Sequence, residues 1–277
     1  MRLPQPATSS GRAALRSLTQ APARALIGLD FDGTLSPIVD APELARPATG
    51  AVDAVRRLAG LVGAVAIVTG RPAPVAVKLL GLTADERDNL VVLGHYGLQR
   101  WTASRGVRLV DAFDSSAIQA VRRELPNLLR DVGAPEGVAT EDKGESIAVH
   151  VRRAPNPDDA FASLREPLAM LARSHGLRLE PGRMVLELRP AGVDKGVAVE
   201  ELAAELVATA VCYAGDDLGD LAAYDALDRM RDRGVAALKV CSASDEVSRL
   251  RERADLVLGG PAELVDFLSC LADTISS

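Results

Sequence analysis

The sequence predicts an α/β protein: a Rossmann-like parallel sheet covered by helices, interrupted by an inserted α+β cap unit. Three observations carry this expectation. Short apolar runs of strand length alternate with helical patterns toward both ends of the chain, as parallel strands joined by crossover helices require. The middle of the chain has a different grammar, in which helical stretches are followed by alternating apolar and polar residues. The apolar volume comes mostly from Ala, Val and Leu, with aromatic residues at only 3%, which suits strands buried on both faces.

In the first part of the core the strand-like runs are "ALIGLDF" (25–31), "AVAIVT" (64–69) and "LVVLG" (90–94), with a helical pattern at about 51–60. After residue 190 the same grammar resumes. A helix starts at Gly196, and a strand follows at "TAVCYAG" (209–215). A helix at 219–230, strands at "GVAALKV" (234–240) and "ADLVLGG" (254–260), and a helix from Pro261 complete it. The core is thus placed at 24–104 and 189–277, and the cap at 105–188. Within the cap, Ile118, Val121, Leu125, Leu128 and Leu129 recur at helical spacing, as do Phe161, Leu164, Leu168 and Leu171. Pro126 and Pro167 lie inside these patterns, where each removes a helical hydrogen bond. Alternating segments follow at 145–152 and 183–189. With a period of two, Ile147, Val149 and Val151 face one way and Ser146, Ala148, His150 and Arg152 the other. Likewise Arg183, Val185, Glu187 and Arg189 share a face opposite Met184, Leu186 and Leu188. A sheet with one apolar and one polar face results. Residues 1–23 carry arginines and no acid; targeting leaders share this bias, but the expectation is a poorly ordered extension.

Composition bounds the function. The net charge of −6 on 277 residues argues against general nucleic-acid binding, which needs a basic face. Cys212, Cys241 and Cys270 stand far apart with no CxxC pair, so a disulfide framework or thiolate metal site is not expected. No apolar run reaches spanning length, and the protein is expected to be soluble and cytoplasmic. Oligomeric state is not legible.

The chemistry is concentrated in a few strings. Asp30-Phe31-Asp32-Gly33-Thr34 follows the first strand, where carboxylates project into the crevice at the ends of parallel strands. One carboxylate, Asp30, can attack phosphorus while the other, Asp32, donates a proton to the departing oxygen. Gly33 permits the turn and is expected to bring an N–H toward the phosphate; Thr34 is expected to hold Asp32. Gly215-Asp216-Asp217-Leu218-Gly219-Asp220 closes a later strand. Acids crowded beside Asp30 need a cation, and an all-oxygen set favours a hard ion such as Mg²⁺. Asp217 could equally cap a helix. In Thr69-Gly70-Arg71, after the second strand, Thr69 can hydrogen-bond a phosphate oxygen, and Lys195 offers a neutralising ammonium before a helix.

These residues resemble the haloacid dehalogenase superfamily of phosphatases, over essentially residues 25 to 270. The strings "EDKGESIAVHVR" (141–152) and "PGRMVLELRPAGVDKG" (181–196) resemble trehalose-6-phosphate phosphatases more specifically. The resemblance implies an aspartyl-phosphate mechanism with Asp30 as nucleophile and Asp32 as acid/base. It implies Mg²⁺ on Asp30, the Asp32 carbonyl and Asp216, with Asp217 or Asp220 contacting it directly or through water. Gly33, Thr69 and Lys195 would bind phosphate, and Arg71, Glu141, Lys143, Arg152, Arg183 and Glu187 the substrate, a small-molecule sugar phosphate. Gly219 and Leu221 depart from the Thr and Glu often found there, and His95-Tyr96-Gly97 from the more usual HG pair; His95 reads as a buried, hydrogen-bonded histidine. His150 and His175 carry no site signal. The leading expectation is hydrolysis of trehalose 6-phosphate. A phosphatase for another sugar phosphate and a non-catalytic sugar-phosphate-binding regulator are the alternatives.

Overall fold

The computed structural model describes residues 3–39, 42–109, 115–182, 184–243 and 248–277. It divides into two compact units, Met1–Val110 with Asp194–Ser277, and Asp111–Val193. The expected cap boundaries of 105 and 188 thus move by a few residues. Gly106–Leu109 pairs into the large sheet, and the strand containing Arg189 runs on to Pro190.

The first element, α1 (Ser9–Gln20), corrects the expectation of a loose extension over residues 1–23. Thr8 caps it, its hydroxyl accepting the N–H of Gly11 at 2.9 Å, an arrangement that stabilises a helix by about 1 kcal/mol. Ala14, Leu15 and Leu18 fall on one face and are buried, while Arg12 and Arg16 are exposed. Arg12 and Arg16 are simply the solvent side of an amphipathic helix. Leu18→Ala is expected to destabilise the protein by about 2–5 kcal/mol, because a fully buried leucine leaves a cavity. Thermal denaturation measures it, and an unchanged midpoint would mean that α1 is not part of the cooperative core.

β1 (Ala25–Leu29), α2 (Ala51–Ala59), β2 (Ala64–Val68), α3 (Ala73–Leu80) and β3 (Leu90–Gly94) follow, and every residue of these strands is buried. The chain then reverses through β4 (Gln99–Thr102) and β5 (Gly106–Leu109), an antiparallel edge that the composition does not announce. The second unit supplies α4 (Ser116–Asp131), β6 (Ala139–Asp142), β7 (Ile147–His150), α5 (Pro157–Ser174), β8 (Leu177–Gly182) and β9 (Val185–Pro190). Back in the first unit come α6 (Lys195–Glu205), β10 (Ala210–Gly215), α7 (Leu221–Asp232) and β11 (Ala236–Ser242). α8 (Ser248–Arg253), β12 (Leu256–Leu258) and α9 (Pro261–Ser276) complete it.

Among the described residues the large sheet has the order β12-β11-β10-β1-β2-β3-β4-β5, parallel from β12 through β3. Side chains alternate across it. Ile27 and Leu29 pack with α1, α2 and α9, whereas Leu26 packs with α6 and α7. β1 lies between β10 and β2, with Leu29 opposite Ala214 on one side and Ile67 on the other. The strand order reverses there, so the carboxyl ends of β10, β1 and β2 open a crevice. Cys212, Cys241 and Cys270 are buried in this unit as free thiols.

In the second unit the sheet order is β6-β7-β9-β8, antiparallel throughout. Ile147, Val149, Leu186 and Leu188 pack against Ile118, Val121 and Leu125 of α4 and Leu164 and Leu168 of α5. Pro126 and Pro167 sit inside these helices without ending them; burial of the apolar stripe outweighs one missing hydrogen bond. No helix among the described residues is long and apolar enough to cross a membrane.

Candidate active site

Asp30 extends the β1 ladder by one residue, its N–H donating to the carbonyl of Ala214 at 2.9 Å. Its carboxylate therefore emerges at the crevice, buried and next to the end of β10. The following turn is shaped by Asp216. Gly33 has φ 77°, and a Cβ there would lie 1.9 Å from Asp216 Oδ2, so only glycine lets the two loops meet. Two expectations are corrected here. The Gly33 N–H does not point at a ligand position but donates to the Ser36 carbonyl at 2.7 Å within the turn. Thr34 Oγ1 donates to Asp216 Oδ1 at 3.1 Å and not to Asp32, because it lies on the side of the turn facing β10. Ser242, at the end of β11, donates to the Gly33 carbonyl at 2.9 Å. No motif marks it; a buried serine closing a parallel strand was the only available signal.

Lys195 opens α6 behind Asp194, whose side chain accepts the Val197 N–H at 2.9 Å. Its Nζ lies 2.9 Å from Asp30 Oδ1 and 2.8 Å from Asp220 Oδ1, with Asp217 Oδ1 at 4.0 Å. Asp220 also accepts from Tyr213 Oη at 2.6 Å and, on Oδ2, from the N–H groups of Asp216 and Asp217 at 2.9 and 3.1 Å. Asp217 caps its turn by accepting the Gly219 N–H at 2.8 Å, so the capping alternative for this residue is realised and its side chain is exposed.

Asp32 stands apart from this cluster. Arg71 grips it in a two-pronged pair, Nε to Oδ2 and Nη2 to Oδ1, both at 2.7 Å, and lies over the Phe31 ring with its guanidinium carbon 5.5 Å from the centroid. Thr69, at the end of β2, accepts the Arg71 N–H on its hydroxyl at 3.1 Å, which leaves the hydroxyl proton for another acceptor. His95 and Tyr96, both at positive φ, brace this turn. The His95 N–H donates to the Arg71 carbonyl at 3.0 Å, and the Tyr96 N–H to the Thr69 carbonyl at 2.9 Å. The sequence left His95 without a task; its backbone holds the turn that carries Arg71, and its ring is buried.

The electrostatics are one-sided. Burial, followed by repulsion from Asp220 and Asp217, pushes Asp216 up to about 7. Burial also holds Asp30 well above the usual carboxylate range, although Lys195 pulls the other way. Burial alone would raise Asp220, but Lys195, Tyr213 and a backbone donor hold it below its ordinary value. Lys195 is kept charged in turn: Asp220 and Asp30 outweigh its desolvation. One ammonium thus faces four acids. Asp30, Asp216 and Asp220 bring carboxylate oxygens within 4.8 Å of one another. A hard cation fits such an oxygen-only, under-neutralised set.

In the second unit, β6, β7, β9 and β8 align Glu141, Ala148, Glu187 and Glu180 in one row across the sheet. Glu187 is buried and accepts from Ser146 Oγ at 2.6 Å and Lys143 Nζ at 3.2 Å. Glu141 meets His150 Nε2 at 2.9 Å, so a histidine that carries no motif belongs to the same polar face. Arg189 bonds Glu180 at 2.7 Å and the Val193 carbonyl at 2.5 Å. Arg152 is exposed beyond the end of β7, and Arg183 lies outside the described residues.

A family model described as trehalose-phosphatase matches residues 28–256. The trehalose-phosphate phosphatase of Mycolicibacterium paratuberculosis (strain ATCC BAA-968 / K-10) is 31% identical over 252 residues, covering 89% of this chain and 61% of that protein. The chain therefore spans about three fifths of that relative's length. Among solved structures, the C-terminal domain of the C. albicans trehalose-6-phosphate phosphatase superposes with a TM-score of 0.76 at 21% identity, covering 99% of each chain. A haloacid dehalogenase-like hydrolase from Bacteroides thetaiotaomicron gives 0.60 at 16%, covering 91% of this chain and 98% of its own. At these identities the structures speak to the fold alone, which is that of the haloacid dehalogenase-like hydrolases. The family model spans the strand-end loops that carry Asp30, Thr69, Lys195 and Asp216, and the chain belongs to the trehalose-phosphatase family.

Proposed function

We propose that this chain hydrolyses trehalose 6-phosphate to trehalose and phosphate through an aspartyl-phosphate on Asp30, with Mg²⁺ as its cation. The observation that carries the reading is Lys195 set 2.9 Å from Asp30 at the crevice where β10, β1 and β2 end, in a chain of this family. Asp30, Asp216 and the Asp32 carbonyl would hold Mg²⁺, with Asp217 or Asp220 nearby, and the bound ion supplies positive charge against the phosphoryl oxygens.

The residues divide the work. An Asp30 carboxylate oxygen attacks phosphorus, and the bond from phosphorus to the sugar oxygen breaks. That oxygen keeps the electron pair and takes the proton from Asp32. Asp32 then removes a proton from a water whose oxygen attacks the acyl phosphate, freeing Asp30 and inorganic phosphate. Lys195 and the Thr69 hydroxyl hold the phosphoryl oxygens throughout. Before substrate enters, Arg71 is paired with Asp32. A phosphoryl group competes for the same guanidinium, and its arrival releases Asp32 to carry a proton.

Phosphate release from a panel of sugar phosphates, with Mg²⁺ and with chelator, tests the reading. Turnover that requires the metal and favours trehalose 6-phosphate is expected. Equal rates on every sugar phosphate would favour the broader phosphatase, and binding without turnover the regulator. The sugar is assigned to Glu141, Lys143 and Glu187. Alanine at each is expected to lower kcat/KM for trehalose 6-phosphate about 5- to 150-fold, the loss of one hydrogen bond to a desolvated partner. A small aryl phosphate should be hydrolysed at the unmodified rate. A parallel fall on both substrates would instead make these residues supports of the second unit's fold.

A further inference from the structure

Asp220 is placed like a metal ligand but is occupied like a structural anchor. A carboxylate offers about four lone-pair sites, and among the described residues Asp220 has four donors. Lys195 Nζ and Tyr213 Oη fill Oδ1 at 2.8 and 2.6 Å, and the N–H groups of Asp216 and Asp217 fill Oδ2 at 2.9 and 3.1 Å. Asp220 and Tyr213 are fully buried. Gly215 secures the arrangement, since a Cβ there would lie 2.2 Å from Asp220 Cγ. A cation could take Asp220 only by displacing one of these donors. Asp30 and Asp216, by contrast, each have one side-chain donor among the described residues, Lys195 Nζ at 2.9 Å and Thr34 Oγ1 at 3.1 Å.

We propose that Tyr213 is a positioning residue for the reaction: its hydroxyl fixes Asp220, and Asp220 fixes the Lys195 ammonium against Asp30, so that Asp220 serves the lysine and not the metal. The inference deepens the reading above and rests on Lys195 being the cationic clamp. Its geometric basis is a single oxygen, Asp220 Oδ1, shared by Tyr213 and Lys195. Fixing that oxygen from a second direction removes the freedom of the ammonium to follow Asp220 away from Asp30. Tyr213 itself lies on β10, inside the sheet, where its ring is packed with α6 and α7. The anchor is therefore rigid, as a group that must hold a charge in place during phosphoryl transfer should be.

The test uses Tyr213→Phe, Asp220→Asn and Asp216→Asn in the full chain. Mn²⁺ affinity is measured by electron paramagnetic resonance, and kcat and KM on an aryl phosphate at saturating Mg²⁺. Tyr213→Phe is expected to lower kcat about 10-fold, as loss of a hydrogen bond to a charged group does, with KM and Mn²⁺ affinity within about threefold. Asp220→Asn should act in the same direction and more strongly, again with Mn²⁺ affinity retained, whereas Asp216→Asn should weaken Mn²⁺ at least about 10-fold. The ¹⁵N signal of the Lys195 ammonium, identified by its loss in Lys195→Ala, gives a readout independent of turnover. Its hydrogen exchange should quicken in Tyr213→Phe. Mn²⁺ affinity falling in Asp220→Asn as far as in Asp216→Asn would make Asp220 a ligand and overturn the assignment. So would a Tyr213→Phe protein with unchanged kcat and unchanged ammonium exchange, which decides the matter even if Asp220→Asn fails to fold. If the unmodified protein releases no phosphate, the functional reading falls, and ammonium exchange still decides whether Tyr213 anchors the lysine.

Discussion

Asp30→Asn is expected to lower kcat by about 10⁴-fold or more, because an amide oxygen cannot form and release the acyl phosphate. The fold should survive. Asp30 is disfavoured as an anion by its burial and by Asp220, Asp216 and Asp217, against the help of Lys195. An Asp whose folded pKa is raised costs stability once the pH exceeds its unfolded value. Replacing it with a neutral isostere removes that cost, so in chelator near neutral pH the variant's melting temperature should be no lower than that of the unmodified protein. Stabilisation by added Mg²⁺ should shrink at the same time, since an anionic partner is lost. Retained turnover in purified Asp30→Asn would remove the aspartyl-phosphate mechanism, whatever the protein binds.

Lys195→Ala should be damaging in a different way. Removing the ammonium leaves Asp30, Asp216, Asp217 and Asp220 without their shared counter-charge, and two of these acids lie within 3 Å of it. Breaking a buried ion pair from one side costs about 3–5 kcal/mol, roughly 6–20 °C in melting temperature for a protein of this size. The expected loss in kcat is about 10³-fold, from the missing electrostatic clamp. Unlike Asp30→Asn, this variant should lose stability in chelator. The two substitutions are thus separated by the sign of a melting shift as well as by rate. A Lys195→Ala protein as stable as the parent would mean that the acids are neutralised elsewhere.

Most of the architecture was legible because its signals are local. Strand runs such as 64–69 and 90–94 are apolar over their full length, and only parallel strands buried on both faces need that. The Asp30 and Asp216 loops were legible because acids directly after such strands have one place to go. What could not be read was what depends on partners distant in sequence. Helix α1 read as a loose extension until Leu15 and Leu18 had a sheet to cover. Thr34 was assigned to the acid two residues away, whereas its partner is 182 residues on. His150 carries no motif because its role is visible only once β6 and β7 pair and bring Glu141 beside it. Arg71, read as a substrate-binding residue, has an internal partner in Asp32, which no spacing encodes.

The three thiols make the protein a recorder of its own unfolding. Cys212, Cys241 and Cys270 are nearly inaccessible, and burial suppresses thiolate formation further at two of them, raising Cys212 far above its ordinary value and Cys241 to about 11. A thiolate is the reactive form, so a maleimide or disulfide reagent added to the native protein finds nothing to modify. All three belong to the unit built on the large sheet, while residues 111–193 contain none. A pulse of reagent during heating or denaturant titration therefore reports the opening of that unit alone, residue by residue under mass spectrometry, and stays silent if only the second unit melts.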